Sequence, residues 1–289
     1  MPERSILAQP AEVHPEPDSA GGRAGEEHAI SVPQILIHRD GELLARSAAA
    51  RLVTKLVDAV AAKGMASMVL TGGGIGTRVL AELAAAPARD AVDWRRVEIW
   101  WGDERFLPAG DPERNETGAR SALLDHVDVL PERVHPIPGP DGPDGPDPEA
   151  AADRYARLLR AAAQPQDRGG VPRFDVLMLG IGPDAHVASL FPGLPALYEE
   201  ERTVVGVRGA PKPPPTRISL TLPAIRSASE VWILASGAEK AGAVRLALSE
   251  AGPVQVPAAG ARGISQTLFL LDRAAAAEVP VQLSRLASP

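Results

Sequence analysis

The stretch GIGPDAHVASLFPG, Gly180 to Gly193, sets one histidine, His186, just past an apolar strand-like run and inside a loop rich in turn residues. An imidazole titrates near neutrality, so it can take a proton from water and return it to a leaving group. Asp184 precedes it by two positions, and the place is the end of a buried-strand pattern. The remaining histidines differ in setting. His14 falls in a polar leader, while His28, His38, His126 and His135 fall in segments without glycine clusters, as structural or surface histidines do.

Four other stretches carry chemically useful groups. TGGGIGT, Thr71 to Thr77, follows an apolar run and leads into a helical pattern. Backbone N–H groups and the helix dipole at such a place can hold a phosphate or a developing oxyanion, and a plain tight turn is the alternative. No lysine follows as in a nucleotide-binding P-loop, and Thr77 stands where a dinucleotide fingerprint needs its third glycine. WGDERFLP puts Asp103, Glu104 and Arg105 at a strand end. The carboxylates there can bond sugar hydroxyls or orient a catalytic group and the arginine can meet an anion, or the three can close a loop as a salt bridge. Asn115, in ERNETGAR, suits a helix cap or a ligand contact equally. APKPPPTRISL holds Lys212 against a proline run that fixes backbone direction, with Arg217 at a strand start. This is either a phosphate clamp or a solvated lysine.

These groups need a scaffold, and the hydrophobic pattern supplies one. QILIH reads as a strand, followed by a helix over Glu42 to Lys63, where Leu44, Leu52, Leu56 and Val60 recur at helical spacing and Gly64 gives a stop. MASMVL leads to GGGIG and a helix from about Thr77; VEIWW leads to GDERFLP; FDVLMLG leads to IGPDAH and a helix-like ASLF. RTVVGV, RISLTL, EVWILAS and TLFLLD are further strands, with a helix from Glu239 to Glu250. Uniformly apolar strands alternating with helices imply an α/β fold with a mostly parallel sheet covered on both faces, and ligands bind such sheets at the carboxyl ends of the strands. GGGIG, GDERFLP and IGPDAH each lie at such an end.

The 289 residues suffice for a sizeable core. Residues 1–30, polar and rich in Pro, Glu and Gly, are expected to be a disordered tail, and residues 31–289 a single α/β domain. PIPGPDGPDGPDP, Pro136 to Pro148, reads as a surface connection within it. The chain has no cysteine, which removes disulfides, thiolate metal sites and cysteine nucleophiles. No apolar run approaches the length of a membrane helix, the first residues lack a signal-peptide core, and the net charge of −7 comes without a basic run. The expectation is a cytoplasmic protein that binds neither membrane nor nucleic acid.

Taken in order, TGGGIGT, WGDERFLP, the asparagine of ERNETGAR, GIGPDAHVASLFPG, PKPPPTRISLTLP and the SGAEK of Ser236 to Lys240 resemble the 6-phosphogluconolactonases, over essentially Val32 to Pro280. The resemblance implies the fold of amino-sugar-phosphate isomerases and deaminases, a Rossmann-like, mostly parallel sheet with helices on both faces. It implies hydrolysis of 6-phospho-D-glucono-1,5-lactone to 6-phosphogluconate in the oxidative pentose phosphate pathway, without a cofactor; a monomer that holds no metal and has a small sugar phosphate as its partner is expected. His186 would be the general base and Asp184 would orient it. Substrate would be bound by Gly72, Gly73 and Gly74, by Lys212 and Arg217 together with Arg105 or Arg78, and by Asp103, Glu104 and Asn115. The chain departs from the family pattern where Ala185 replaces the usual glycine before the histidine, and where Gly74 and Gly76 replace serine and proline. Two other readings compete. An aminosugar-phosphate deaminase shares the histidine loop but continues it into a Phe-Asn-Glu-Pro-Gly segment, where this chain has SLFPG. A catalytically silent sugar-phosphate-binding protein is suggested by Ala185.

Overall fold

The computed structural model describes residues 31–249, 251–280 and 283; the anticipated N-terminal tail and Glu250 lie outside them. In chain order the strands and helices are β1 (Pro33–His38), α1 (Gly41–Lys63), β2 (Ala66–Leu70), α2 (Gly73–Ala85), β3 (Val97–Trp101), β4 (Asp103–Arg105), α3 (Asn115–Ala122), α4 (Pro148–Ala162), β5 (Val176–Gly180), β6 (Val204–Val207), β7 (Arg217–Leu220), α5 (Leu222–Ile225), β8 (Glu230–Ala235), α6 (Ala241–Ala247), α7 (Pro257–Gly260) and β9 (Gln266–Asp272).

Six strands form one parallel sheet in the order β1-β9-β8-β5-β2-β3. Its inner strands β2, β5, β8 and β9 are almost wholly buried along their length, which is why they read as continuous apolar runs rather than alternating ones. From β2 the chain moves outward to β3, and from β5 it moves the opposite way to β8, so β2 and β5 flank the point where strand order reverses. A crevice opens at the carboxyl ends of such a pair.

Local sequence fixes the first helix as expected. The Asp40 carboxylate accepts from the Leu43 amide at 2.8 Å, and Gly64, at φ 80°, ends the helix in the left-handed conformation. Four expectations are corrected. Helix α2 starts at Gly73 rather than near Thr77, so the glycines are its first turn and not a loop before it. ASLF is not helical: Ala188 adopts φ 50°, and Val187 and Leu190 close a tight turn as an isolated bridge. The helix placed over Glu239 to Glu250 is a single 3₁₀ turn, Ala238–Lys240, followed by the short α6. Finally, RTVVGV and RISLTL do not join the parallel sheet. They form β6 and β7 of a separate three-stranded antiparallel sheet, β4-β7-β6, which α4 packs against. The chain crosses between sheets at Gly102, whose N–H donates to the Leu70 carbonyl of β2 and whose carbonyl accepts from Leu220 of β7.

Candidate active site

The crevice at the β2/β5 reversal is a cleft of about 490 Å³. Ten of the residues singled out from sequence line it: Gly72, Gly73, Gly74, Arg78, Asp103, Arg105, Asn115, His186, Lys212 and Arg217. Asp184 stands behind His186 rather than on the wall, and Glu104 is elsewhere.

His186 projects from the loop after β5. Its Nδ1 lies 2.5 Å from the Asp184 Oδ1, and its ring rests against Phe191 with centroids 4.4 Å apart. With Nδ1–H donated to the carboxylate, Nε2 keeps its lone pair for a ligand. Burial raises the Asp184 carboxyl, but the hydrogen bond and charge of His186, with a smaller pull from Lys212, outweigh it and bring the group down to about 2. Asp184 is therefore a carboxylate at any physiological pH. Gly182 is the residue that lets this pair form, because a Cβ there would sit 2.0 Å from the histidine Nδ1 and 2.4 Å from the Asp184 Oδ1.

Ala185, between the two, does require the conformation glycine favours: its φ is 63°. The strain is of order 1 kcal/mol. The residue is nonetheless buried and bonded on both sides, its N–H donating to the Gly182 carbonyl and its carbonyl accepting from Ala258, and His186 reaches Asp184 with the alanine in place.

Across the cleft, α2 presents its amino end. The amides of a first helical turn have no partner within the helix, Gly72 caps this one without any side-chain bond, and Gly72, Gly73 and Gly74 line the cleft. Gly73 has φ 79° and Gly74 has open space around its Cα. Gly72 is tightly constrained instead. A Cβ there would lie 1.8 Å from the Asn115 Oδ1, so the turn and Asn115 are packed face to face.

Asn115 begins α3, and its Nδ2 donates to the Asp103 carbonyl at 2.8 Å and to the Asp103 Oδ1 at 3.3 Å. The other Asp103 oxygen accepts from the Ser189 hydroxyl at 2.7 Å. Glu104 corrects the sequence reading. It is 1% exposed and turned away from the cleft, its oxygens accepting the backbone amides of Arg105, Asn115 and Glu116, so it ties down the start of α3 rather than a substrate. Burial pushes its carboxyl up to about 7 against the opposing pulls of Arg114 and these amides.

The cations divide into held and free. Arg217 is 5% exposed; its guanidinium donates to the carbonyls of Lys212, Pro213 and Pro214 and lies over the Phe191 ring. It thereby shapes the loop that carries Lys212 into the cleft. Arg105 donates to the Glu113 carbonyl. The side chains of Arg78, Lys212 and Lys240 line the cleft and make no hydrogen bond or salt bridge among the described residues. Burial, reinforced by the neighbouring Lys212, lowers the Lys240 ammonium from its ordinary value. Lys240 belongs to the SGAEK segment, whose role the sequence left open. Its loop is tied by Asp272, which accepts from the Ser236 hydroxyl at 2.6 Å and from the Gly237 amide. Sequence reasoning also missed Ser189. The only signal was a small hydroxyl interrupting an apolar run.

Residues 39–270 match the family model described as "Glucosamine-6-phosphate isomerases/6-phosphogluconolactonase". The chain is 62% identical over 251 residues to a 6-phosphogluconolactonase of Streptomyces coelicolor, covering 87% of this chain and 96% of the relative. It is 50% identical to the 6-phosphogluconolactonase of Mycobacterium tuberculosis over 85% of this chain and 98% of the relative. Its fold superposes on the solved 6-phosphogluconolactonase of Trypanosoma brucei with a TM-score of 0.74 at 28% identity, covering 87% of this chain and all of that one.

Proposed function

Because the chain belongs to the glucosamine-6-phosphate isomerase/6-phosphogluconolactonase family and is an enzyme of its lactonase kind, we propose that it hydrolyses 6-phospho-D-glucono-1,5-lactone with His186 as general base. The observation that carries this reading is the Asp184–His186 pair opening onto a cleft that also holds unpaired cations and the amino end of a helix.

The chemistry follows from the placement. Asp184 accepts Nδ1–H, fixing the tautomer and ring direction, and Nε2 takes a proton from water as its oxygen bonds to the lactone carbonyl carbon. The tetrahedral intermediate collapses by breaking the bond to the ring oxygen, which receives that proton from the imidazolium; the new acid then ionises to 6-phosphogluconate. A positioned base of this kind is worth about 10²- to 10⁴-fold in rate. Lys212, Lys240, Arg78 and Arg105 and the first-turn amides of α2 hold the phosphate, and Arg217 acts mainly by shaping the Lys212 loop. The path as drawn runs through side chains and water alone.

A spectrophotometric lactonase assay on freshly generated lactone, corrected for spontaneous hydrolysis, tests the proposal. Wild type should accelerate lactone loss, and His186→Ala should lose about 10²- to 10⁴-fold in kcat with its melting temperature kept. An inactive wild type that still binds 6-phosphogluconate would instead identify a silent binding protein, and release of ammonia from glucosamine 6-phosphate would identify a deaminase.

A further inference from the structure

Resting on that lactonase reading, we propose that Ser189 is a positioning residue: through Asp103 and Asn115 it sets the distance between the His186 loop and the helix-end amides of α2. Ser189 is 0% exposed and cannot touch a substrate. Its hydroxyl donates to the Asp103 Oδ2 at 2.7 Å, and its N–H donates to the Ser219 Oγ at 3.2 Å. Asp103 and Ser219 are directly opposite each other in the β4–β7 ladder, so the loop is pinned by two bonds to one cross-strand pair of the small sheet. The same Asp103 carboxylate, with its backbone carbonyl, receives the Asn115 side-chain N–H, and Asn115 abuts Gly72 at the start of the glycine turn.

One continuous path therefore runs from the catalytic loop, through Ser189, Asp103 and Asn115, to Gly72. The loop needs such an anchor. It is not helical, and it holds two alanines at positive φ, Ala185 and Ala188, on either side of His186 and Val187. Left-handed alanines are unfavourable unless outside contacts hold them. Displacements near 1 Å between a base and its target can cost about a hundredfold in rate. Asp103 thus acts as the junction of the two halves of the site, a role distinct from that of its neighbour Glu104, which only ties down α3.

The test compares Ser189→Ala, Asn115→Ala and the double variant for kcat, KM, inhibition by 6-phosphogluconate and melting temperature. Ser189→Ala is expected to lower kcat about 10- to 100-fold while KM and the inhibition constant stay within about threefold. The double variant is expected to be little worse than the poorer single variant, because either cut breaks the same path. Ser189→Cys, which keeps a small weak donor, should recover part of kcat; it also serves as the probe if Ser189→Ala does not fold. A kcat within twofold of wild type in the folded Ser189 variants, or losses in kcat that multiply in the double variant, would overturn the inference. Wild type unable to hydrolyse lactone would instead overturn the lactonase reading, and this role with it.

Discussion

The parallel sheet is built from strands of five to seven residues that are nearly all apolar, whereas β4, β6 and β7 of the small sheet have only three or four residues each and include Asp103, Glu104, Arg105, Arg217 and Ser219. The long strands are driven into place by the area they bury. The short ones are buried too, but they offer few apolar residues, among them Val204, Val205, Ile218 and Leu220, and they are tied by their ladder to one another and by α4. The two sheets consequently do different work. The large one fixes where the cleft lies, at the reversal between β2 and β5. The small one fixes what faces it, presenting Arg217 and the loop of Lys212 and pinning the catalytic loop at Asp103 and Ser219.

Substitutions that separate stability from catalysis will sharpen this contrast. The largest stability effect belongs to the parallel sheet. Phe269→Ala empties a fully buried position in β9 and should cost about 3–5 kcal/mol, read as a lower melting temperature, while kcat per folded molecule stays unchanged. A marked loss of kcat there would mean that the scaffold and the site are not separable.

Lys212→Ala, on the loop shaped by the small sheet, should do the reverse. The side chain is exposed and unpaired, so melting should not move, whereas KM should rise about 10- to 100-fold with kcat changed only a few-fold, as expected for a lost charge-assisted contact to phosphate. An unchanged KM would remove Lys212 from the phosphate site.

The smallest effect is expected at Ala185→Gly. Relief of the left-handed alanine gains about 1 kcal/mol, and the added freedom of the unfolded glycine offsets about 0.4–1 kcal/mol of it, so melting should barely shift and kcat should stay within about twofold. A tenfold gain in kcat would show that the alanine, and not the anchoring through Ser189, sets the position of His186.

Much of the scaffold was legible because long apolar runs and clear stops leave little choice: Asp40 and Gly64 bracket α1, and the inner strands are hydrophobic throughout. The beginning of α2 was not, since glycine is a poor helix former and the first turn consists of little else. ASLF has helical composition, but the left-handed Ala188 turns the chain instead, and nothing in the residue types announces that. The small sheet escaped notice as a separate layer because pairing partners of three- and four-residue strands are chosen by tertiary contact. Glu104 was misread for a reason the sequence did contain. Successive side chains of a strand point to opposite faces, so if Asp103 and Arg105 look into the cleft, Glu104 must look away.

The bare amino end of α2 has an evolutionary corollary. Peptide N–H donors are present whatever residue other than proline is encoded, so most codon changes leave them in place. Position 74, with no neighbour near its Cα, is free to drift between glycine and serine while the anion seat persists; positions 72 and 182, where even a methyl group would collide with Asn115 or with the His186 ring, have no such latitude.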